Sequence, residues 1–280
     1  DGIHFSEATT DPTDVGWRAV AANLSDLAAS GAETVEGVTV ALVAPGNTPW
    51  DWVNGVYQGM SEALHRHGGV LLGGDCSDGA QRLLSISALG RLGSLHLHRS
   101  QARPGDVLVV SGPHGLSRLG LALLQNDPAV TSQSIPESLR KQAVQQHRRP
   151  SPRFDALQAL VRSKPKSLPW RAGGTDSSDG LLAAVEGLCK SSACGAVLDR
   201  AQLPRPQNWP MGSPWDHWCL AGGEDFELVL SLPPEWVSPW LELVPGAQRI
   251  GNISSDPVGV RWSDDQSVIH SHGFAHYGNP

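Results

Sequence analysis

GWRAVAANLSDLAASGA, residues 16–32, sets small and apolar side chains at helical spacing around one carboxylate, Asp26. Leaving a carboxylate unpaired among Ala and Leu costs several kcal/mol, so an acid in such company has a partner, often a metal ion. The spacing predicts a helix over residues 11–30, opened at Asp11-Pro12-Thr13-Asp14, where acid and proline are start signals. Taken alone, the segment is equally an ordinary amphipathic helix with Asp26 on its polar face. Three further acidic segments tilt the balance: Gly73-Gly74-Asp75, Asp176-Ser177-Ser178-Asp179-Gly180 and Gly222-Gly223-Glu224-Asp225.

Outward from the first helix, the β-branched run Gly37–Pro45 reads as a strand and Trp50–His67 as a helix stopped by Gly68-Gly69. Val70–Leu72 reads as a short strand running into the first Gly-Gly-Asp, and Leu83–Leu92 as another strand. This order indicates an α/β or α+β domain. RSQARPGD, residues 99–106, reads as a connector, dividing the chain into domains 1–103 and 104–280. Beyond it, strand Val107–Val110, the turn Ser111-Gly112-Pro113-His114-Gly115 and helix Leu116–Leu124 have the geometry that holds an anion at a helix start. No GxxxxGK[ST] follows, so this is not a Walker loop.

Residues 126–152 are polar and punctuated by proline, ending in the most basic segment, HRRPSPR. Helices are expected at Phe154–Val161, Leu181–Cys189 and Pro234–Leu243, strands at 228–232 and Gln248–Ile253, and loop at 204–218. An aromatic tail, Gly273–Tyr277, completes the pattern.

A net charge of -7 with only four lysines opposes binding to nucleic acid through bulk positive charge. No apolar run approaches the roughly 20 residues of a membrane span. Cys76, Cys189, Cys194 and Cys219 form no CxxC pair and read as free thiols of a reducing, cytoplasmic compartment. DGIHF begins without Met or a leader, as if cut from a longer chain. There is no G-x-S-x-G elbow, HExxH, HRD or DFG.

The acids carry the chemistry. Two of the four settings place Gly-Gly directly before the acid, where the missing Cβ lets a ligand approach the backbone. Hard oxygen ligands suit Mg²⁺, which keeps its waters and bridges to phosphates. Each motif taken singly also serves as a cap or turn; DSSDG would make a good N-cap for the helix after it. Together they point to phosphate chemistry run on metal ions.

In order, GWRAVAANLSDLAASGA, LLGGDCSDG, RSQARPGD, PSPR, TDSSDGL and GGEDFEL resemble the thiamine-monophosphate kinases of the PurM-like ATP-binding superfamily. Sister families, among them aminoimidazole ribonucleotide synthetase, selenophosphate synthetase and a hydrogenase maturation factor, share the fold and some acidic motifs. NLSDLAA with GGEDFEL and GFAHY fits the kinases best. The resemblance implies a two-domain α/β (α+β) PurM-like architecture, with a mixed-sheet amino-terminal dimerisation domain and an α+β carboxy-terminal domain. It implies ATP as co-substrate, Mg²⁺, thiamine phosphate as acceptor and a homodimer, with neither nucleic acid nor membrane as partner.

Residue by residue, Asp26, Asp75, Asp176 and Asp179 resemble the metal ligands. Tyr57, Gly74, Asp75, Arg99 and Ser178 resemble the nucleotide contacts, with Asp75, Arg99 and Asp179 implied in catalysis. His4, Glu224 and Phe274 resemble the substrate contacts, with Asp225 an alternative to Glu224. The family also has a GDDAA segment and a further Asp-bearing strand before this point. Neither lies in these residues, so the metal site is expected to be incomplete. Alternatives are another PurM-like ATP-dependent synthetase, or a non-catalytic nucleotide-binding fragment.

Overall fold

The computed structural model describes residues 2–256 and 259–270. Helix α1, Pro12–Ser30, is capped at its start by Asp11, whose carboxylate accepts the Asp14 N–H at 2.9 Å, and ended by Gly31 in the left-handed region. Strand β1, Ala32–Ala44, follows directly, then helix α2, Trp50–His67, and strands β2, Val70–Asp78, and β3, Leu83–Leu92. The sheet order is β2-β1-β3, with β1 parallel to β2 and antiparallel to β3. Val20, Leu24, Val38, Val40, Val56 and Met60 form the core between this mixed sheet and the two helices. The helices cross at backbone contact. A Cβ on Gly16 would stand 1.8 Å from the Val56 carbonyl oxygen, and one on Gly59 1.8 Å from that of Thr13.

The second unit is a six-stranded sheet. Its strands are β4, Val107–Val110; β5, Gly173–Asp176; β6, Gly195–Leu198; β7, Leu228–Leu232; β8, Gln248–Ser254; and β9, Gly259–Trp262, in the order β5-β7-β4-β8-β6-β9. Pairing is antiparallel except between β6 and β9. Its helices are α3, Leu116–Leu124; α4, Pro128–Thr131; α5, Glu137–Arg148; α6, Phe154–Ser163; α7, Leu181–Ser192; α8, Ser213–Ala221; and α9, Pro234–Leu241. Both faces of the sheet are covered, which explains the unbroken VLVV run. Leu108 and Val110 pack with Leu181 and Leu188 of α7, while Val107 and Val109 pack with Leu157 of α6 and Trp236 of α9.

Several elements depart from the sequence expectation. β1 starts at Ala32 rather than Gly37, and β2 continues through Gly-Gly-Asp instead of stopping at Leu72. Gly74 is there because the strands meet closely: a Cβ on it would lie 1.9 Å from the Val40 oxygen, whereas Gly73 has open space and a positive φ of 150. The polar stretch 126–152 contains α5, which buries only Leu139, Ala143 and His147, a single stripe at four-residue spacing. The loop-like segment 204–218 contains the first part of α8, anchored by Trp215. β6 and β9, four residues each, are too short for a periodic signal.

HRRPSPR is not a free basic patch. Arg149 pairs with Asp14 at 2.5 Å and Glu62 at 2.8 Å, joining α5 to α1 and α2. Arg153 binds Glu227, the Ser111 carbonyl and Asp155. Trp17 donates its indole N–H to the Pro150 carbonyl at 2.8 Å. These bonds seat α1 against the second unit.

Candidate active site between α1 and the second sheet

Seven residues of α-helix rise about 10 Å and turn about twice, so Arg18 and Ser25 stand on the same face of α1. That face meets the second unit at two places. At the Ser25 end, its hydroxyl donates to Asp176 Oδ2 at 2.7 Å, and Ser178 Oγ donates to Oδ1 of the same carboxylate at 3.1 Å. Arg99 donates through Nε to Thr175 Oγ1 at 3.0 Å. Asp26, Asp176 and Asp179 lie within electrostatic reach of one another, and Asp26 and Asp176 within reach of Arg99.

This cluster is short of positive charge. Burial, then the Asp176 charge, pushes the Asp26 carboxyl up to about 6, with Arg99 pulling back and Asp179 adding to the rise. Burial also raises Asp176, against the hydrogen bonds of Ser25 and Ser178. The α7 amides receive no side-chain cap from the DSSDG loop, so a helix cap does not account for its acids. Among the described residues, no three His, Cys, Asp or Glu converge tightly enough to enclose a metal ion. Mg²⁺ does not require that, because one or two carboxylates complete its shell with phosphate oxygens and water. Hard oxygen donors gathered within one another's electrostatic reach fit an ion that arrives with a phosphate.

At the Arg18 end, a cleft is bounded by residues 2–6, His147 and Glu224. Arg18 donates to Glu224 Oε1 at 2.8 Å, to the His4 carbonyl at 3.3 Å and to the His147 carbonyl. His147 Nδ1 lies 3.1 Å from Ser117 Oγ; burial and the charges of Arg18 and Arg148 push this imidazole down to about 3, so it is neutral. The chain turns sharply here, with Gly223, Glu224 and Phe226 all at positive φ. Asp225 points the opposite way to Glu224 in role: it is buried and accepts the amides of Gly115 at 2.6 Å and Ser117 at 2.9 Å. The anion expected at the start of α3 is thus the protein's own carboxylate. Of the two acids, Glu224 lines the cleft.

The sequence-derived site is divided. Asp26, Arg99, Asp176, Ser178 and Asp179 are brought together, and His4 and Glu224 meet at the other end. Asp75 and Gly74 sit on β2, where Ser77 donates to Asp75 at 2.8 Å, and the Tyr57 hydroxyl lies 3.7 Å from Cys76 Sγ. Phe274 lies outside the described residues. Arg18, Ser25 and His147 were not foreseen. The available signal was a lone arginine in an apolar helix, seven residues before a serine beside the key acid. A second hollow of about 290 Å³, between Glu33 and α6, is lined by none of these groups.

The chain matches the family models "AIR synthase related protein, N-terminal domain" over residues 1–92 and "AIR synthase related protein, C-terminal domain" over residues 103–263. It is 54% identical over 268 residues to the thiamine-monophosphate kinase of Prochlorococcus marinus, covering 96% of this chain and 80% of that one. Identity to the thiamine-monophosphate kinase of Escherichia coli is 36%, covering 100% and 84%. The structure of AaThiL complexed with AMPPCP and TMP matches with a TM-score of 0.83 at 27% identity, covering 99% of this chain and 84% of that one. The thiamine-monophosphate kinase from Stenotrophomonas maltophilia matches with a TM-score of 0.82 at 28% identity, covering 95% and 83%. Hydrogenase maturation protein HypE, at 16% identity and a TM-score of 0.71 over 92% of this chain and 84% of that one, shares the fold.

Proposed function

The chain belongs to the thiamine-monophosphate kinase family, and we propose that it moves the γ-phosphoryl group of ATP directly onto thiamine monophosphate, giving thiamine diphosphate and ADP. The observation that carries this reading is that one face of α1 meets the second unit at two sites, through Arg18 and through Ser25. One end offers a carboxylate, Glu224, to a heterocyclic cation; the other offers a charged cluster to phosphates.

The acceptor phosphate is ionised near neutral pH, with a second pKa near ~6, so its oxygen needs little help from a general base. The protein's work is to align that oxygen with the γ-phosphorus and offset the gathered charge. The new P–O bond forms as the bond to the β-phosphate oxygen breaks, with no covalent phosphoenzyme. Arg99, braced by Thr175, faces the phosphates. Asp26, Asp176 and Asp179 would hold Mg²⁺, which supplies neutralising charge to the phosphate oxygens. Ser25 and Ser178 orient Asp176. His4 and Glu224 bind the acceptor, as does Phe274 in this reading. Gly74, Asp75 and Tyr57 are assigned to the nucleotide, Asp75 also to the metal.

The reading keeps the division into residues 1–103 and 104–280, with the cleft between them. It also includes a homodimer built on the three-stranded sheet. Val70, Leu72, Leu83, Leu89 and Leu92 of that sheet are each at least half exposed, an apolar surface that a second copy would cover. A cytoplasmic setting is supported by the four free cysteines. Among the described residues, no helix is long and apolar enough to cross a membrane.

The test is a product assay with ATP, Mg²⁺ and thiamine monophosphate, resolved by chromatography. Thiamine diphosphate and ADP are expected in equal amounts. ATP consumption without thiamine diphosphate would overturn the assignment.

A further inference from the structure

The guanidinium of Arg18 ties three separate segments at one point. Its side chain is only 8% exposed. Nη1 donates to the His147 carbonyl in the last turn of α5; Nη2 donates to the His4 carbonyl at 3.3 Å and to Glu224 Oε1 at 2.8 Å. Glu224 is held on a backbone that disfavours it, at φ 57 between two further left-handed residues. Such a loop keeps one conformation only where its surroundings over-determine it. Its backbone is held by the Glu224 N–H on the Ser178 carbonyl and by Gln146 on the Asp225 carbonyl, and its side chains by Asp225 on the α3 amides behind the loop and Arg18 on the carboxylate in front. With Oε1 taken by Arg18, Oε2 lies 4.0 Å from Nδ1 of His147, which lines the same cleft.

We propose that Arg18 is a positioning residue for the acceptor: by committing one oxygen of Glu224 it fixes this carboxylate at the cleft, where the carboxylate meets the cationic thiazolium ring of the substrate. The inference rests on the kinase reading above. A guanidinium suits this task because its rigid fork can serve two carbonyls and a carboxylate at once, which a lysine ammonium cannot do in the same geometry.

The test is steady-state kinetics on Arg18→Met, Glu224→Gln and the double variant, with Arg18→Lys as a variant that keeps the buried cation. The expected result is a thiamine monophosphate KM raised about tenfold or more in Arg18→Met and Arg18→Lys, with the ATP KM within about twofold, the pattern of lost ground-state binding. The double variant should be no worse than the weaker-binding single variant, because both remove the same contact. An unchanged acceptor KM in folded Arg18→Lys overturns the proposal. So do equal rises in both KM values, and single effects that multiply in the double variant. Absence of thiamine diphosphate formation by the unaltered protein would instead remove the function itself, and this role with it.

Discussion

The backbone N–H of Glu224 donates to the carbonyl of Ser178 at 2.7 Å. The loop that lines the cleft beside Arg18 and the loop that carries the acidic cluster are therefore one hydrogen-bonded unit. Two more bonds reinforce it: the Ser177 amide donates to the Glu227 carbonyl at 3.0 Å, and Ser177 Oγ accepts the Glu227 amide at 3.1 Å. For an in-line transfer this matters, since misplacing an acceptor by about 1 Å costs on the order of a hundredfold.

Ser25→Ala should lower kcat/KM about tenfold. It removes a hydroxyl donor from a buried carboxylate, and a hydrogen bond to a charged group contributes about 1.5–3 kcal/mol. Cooperative thermal unfolding should remain. A kcat/KM equal to that of the unaltered enzyme would mean that Asp176 is held without its partner on α1.

Asp179→Asn and Asp75→Asn each remove charge at nearly constant volume. Both are expected to weaken Mg²⁺-dependent nucleotide binding by at least about tenfold, because such an ion has few protein ligands to lose. Calorimetric titration with an ATP analogue at fixed Mg²⁺ measures this. A loss confined to Asp179→Asn would restrict the ion to the cluster between α1 and the second sheet.

Asp225 makes stability depend on pH. Burial raises its carboxyl from 3.8 to about 7, against the pull of the Ser117 and Gly115 amides. A carboxyl raised in the folded state binds more protons folded than unfolded between those values. Its contribution is therefore full below the lower value and lost as pH rises through the upper one. Thermal unfolding of the protein and of Asp225→Asn should be followed at pH 5 and pH 8. The unaltered protein should lose more stability across that interval than the variant; parallel losses would show that Asp225 does not titrate there.

Arg153→Met should destabilise the protein by about 3–5 kcal/mol, the cost of leaving one member of a buried ion pair alone. Arg153 and Glu227 side chains are 14% and 10% exposed, and Ser111 shares the pair through its carbonyl and hydroxyl. Adding Glu227→Gln should recover part of the loss. Denaturant unfolding of the two variants measures both effects, and a loss below about 1 kcal/mol would mark the pair as solvent-screened.

Local chemistry written in contiguous residues was legible in the sequence. Asp11-Pro12 opened α1 where start signals belong, VLVV announced an apolar strand, and the ordered acidic motifs carried the family resemblance. Those features are short-range: a cap, a turn or a strand period depends on neighbours a few residues away. The glycines of β2 were harder, since a glycine pair reads as a turn unless the strand beside it is known. α5 was masked because its single buried stripe is diluted by glutamine and arginine.

The sequence by itself determined the fold class, the family and the acids of the cluster. Only the tertiary structure decided which acid does what. Glu224 and Asp225 are adjacent and chemically alike, yet one lines the cleft and the other caps α3, because left-handed backbone at 223, 224 and 226 turns them apart. Arg18 and Glu224 are 206 residues apart, and Ser25 and Asp176 are 151 apart. Such pairs leave no periodic or local trace, because their contact is set by how α1 docks against the second sheet.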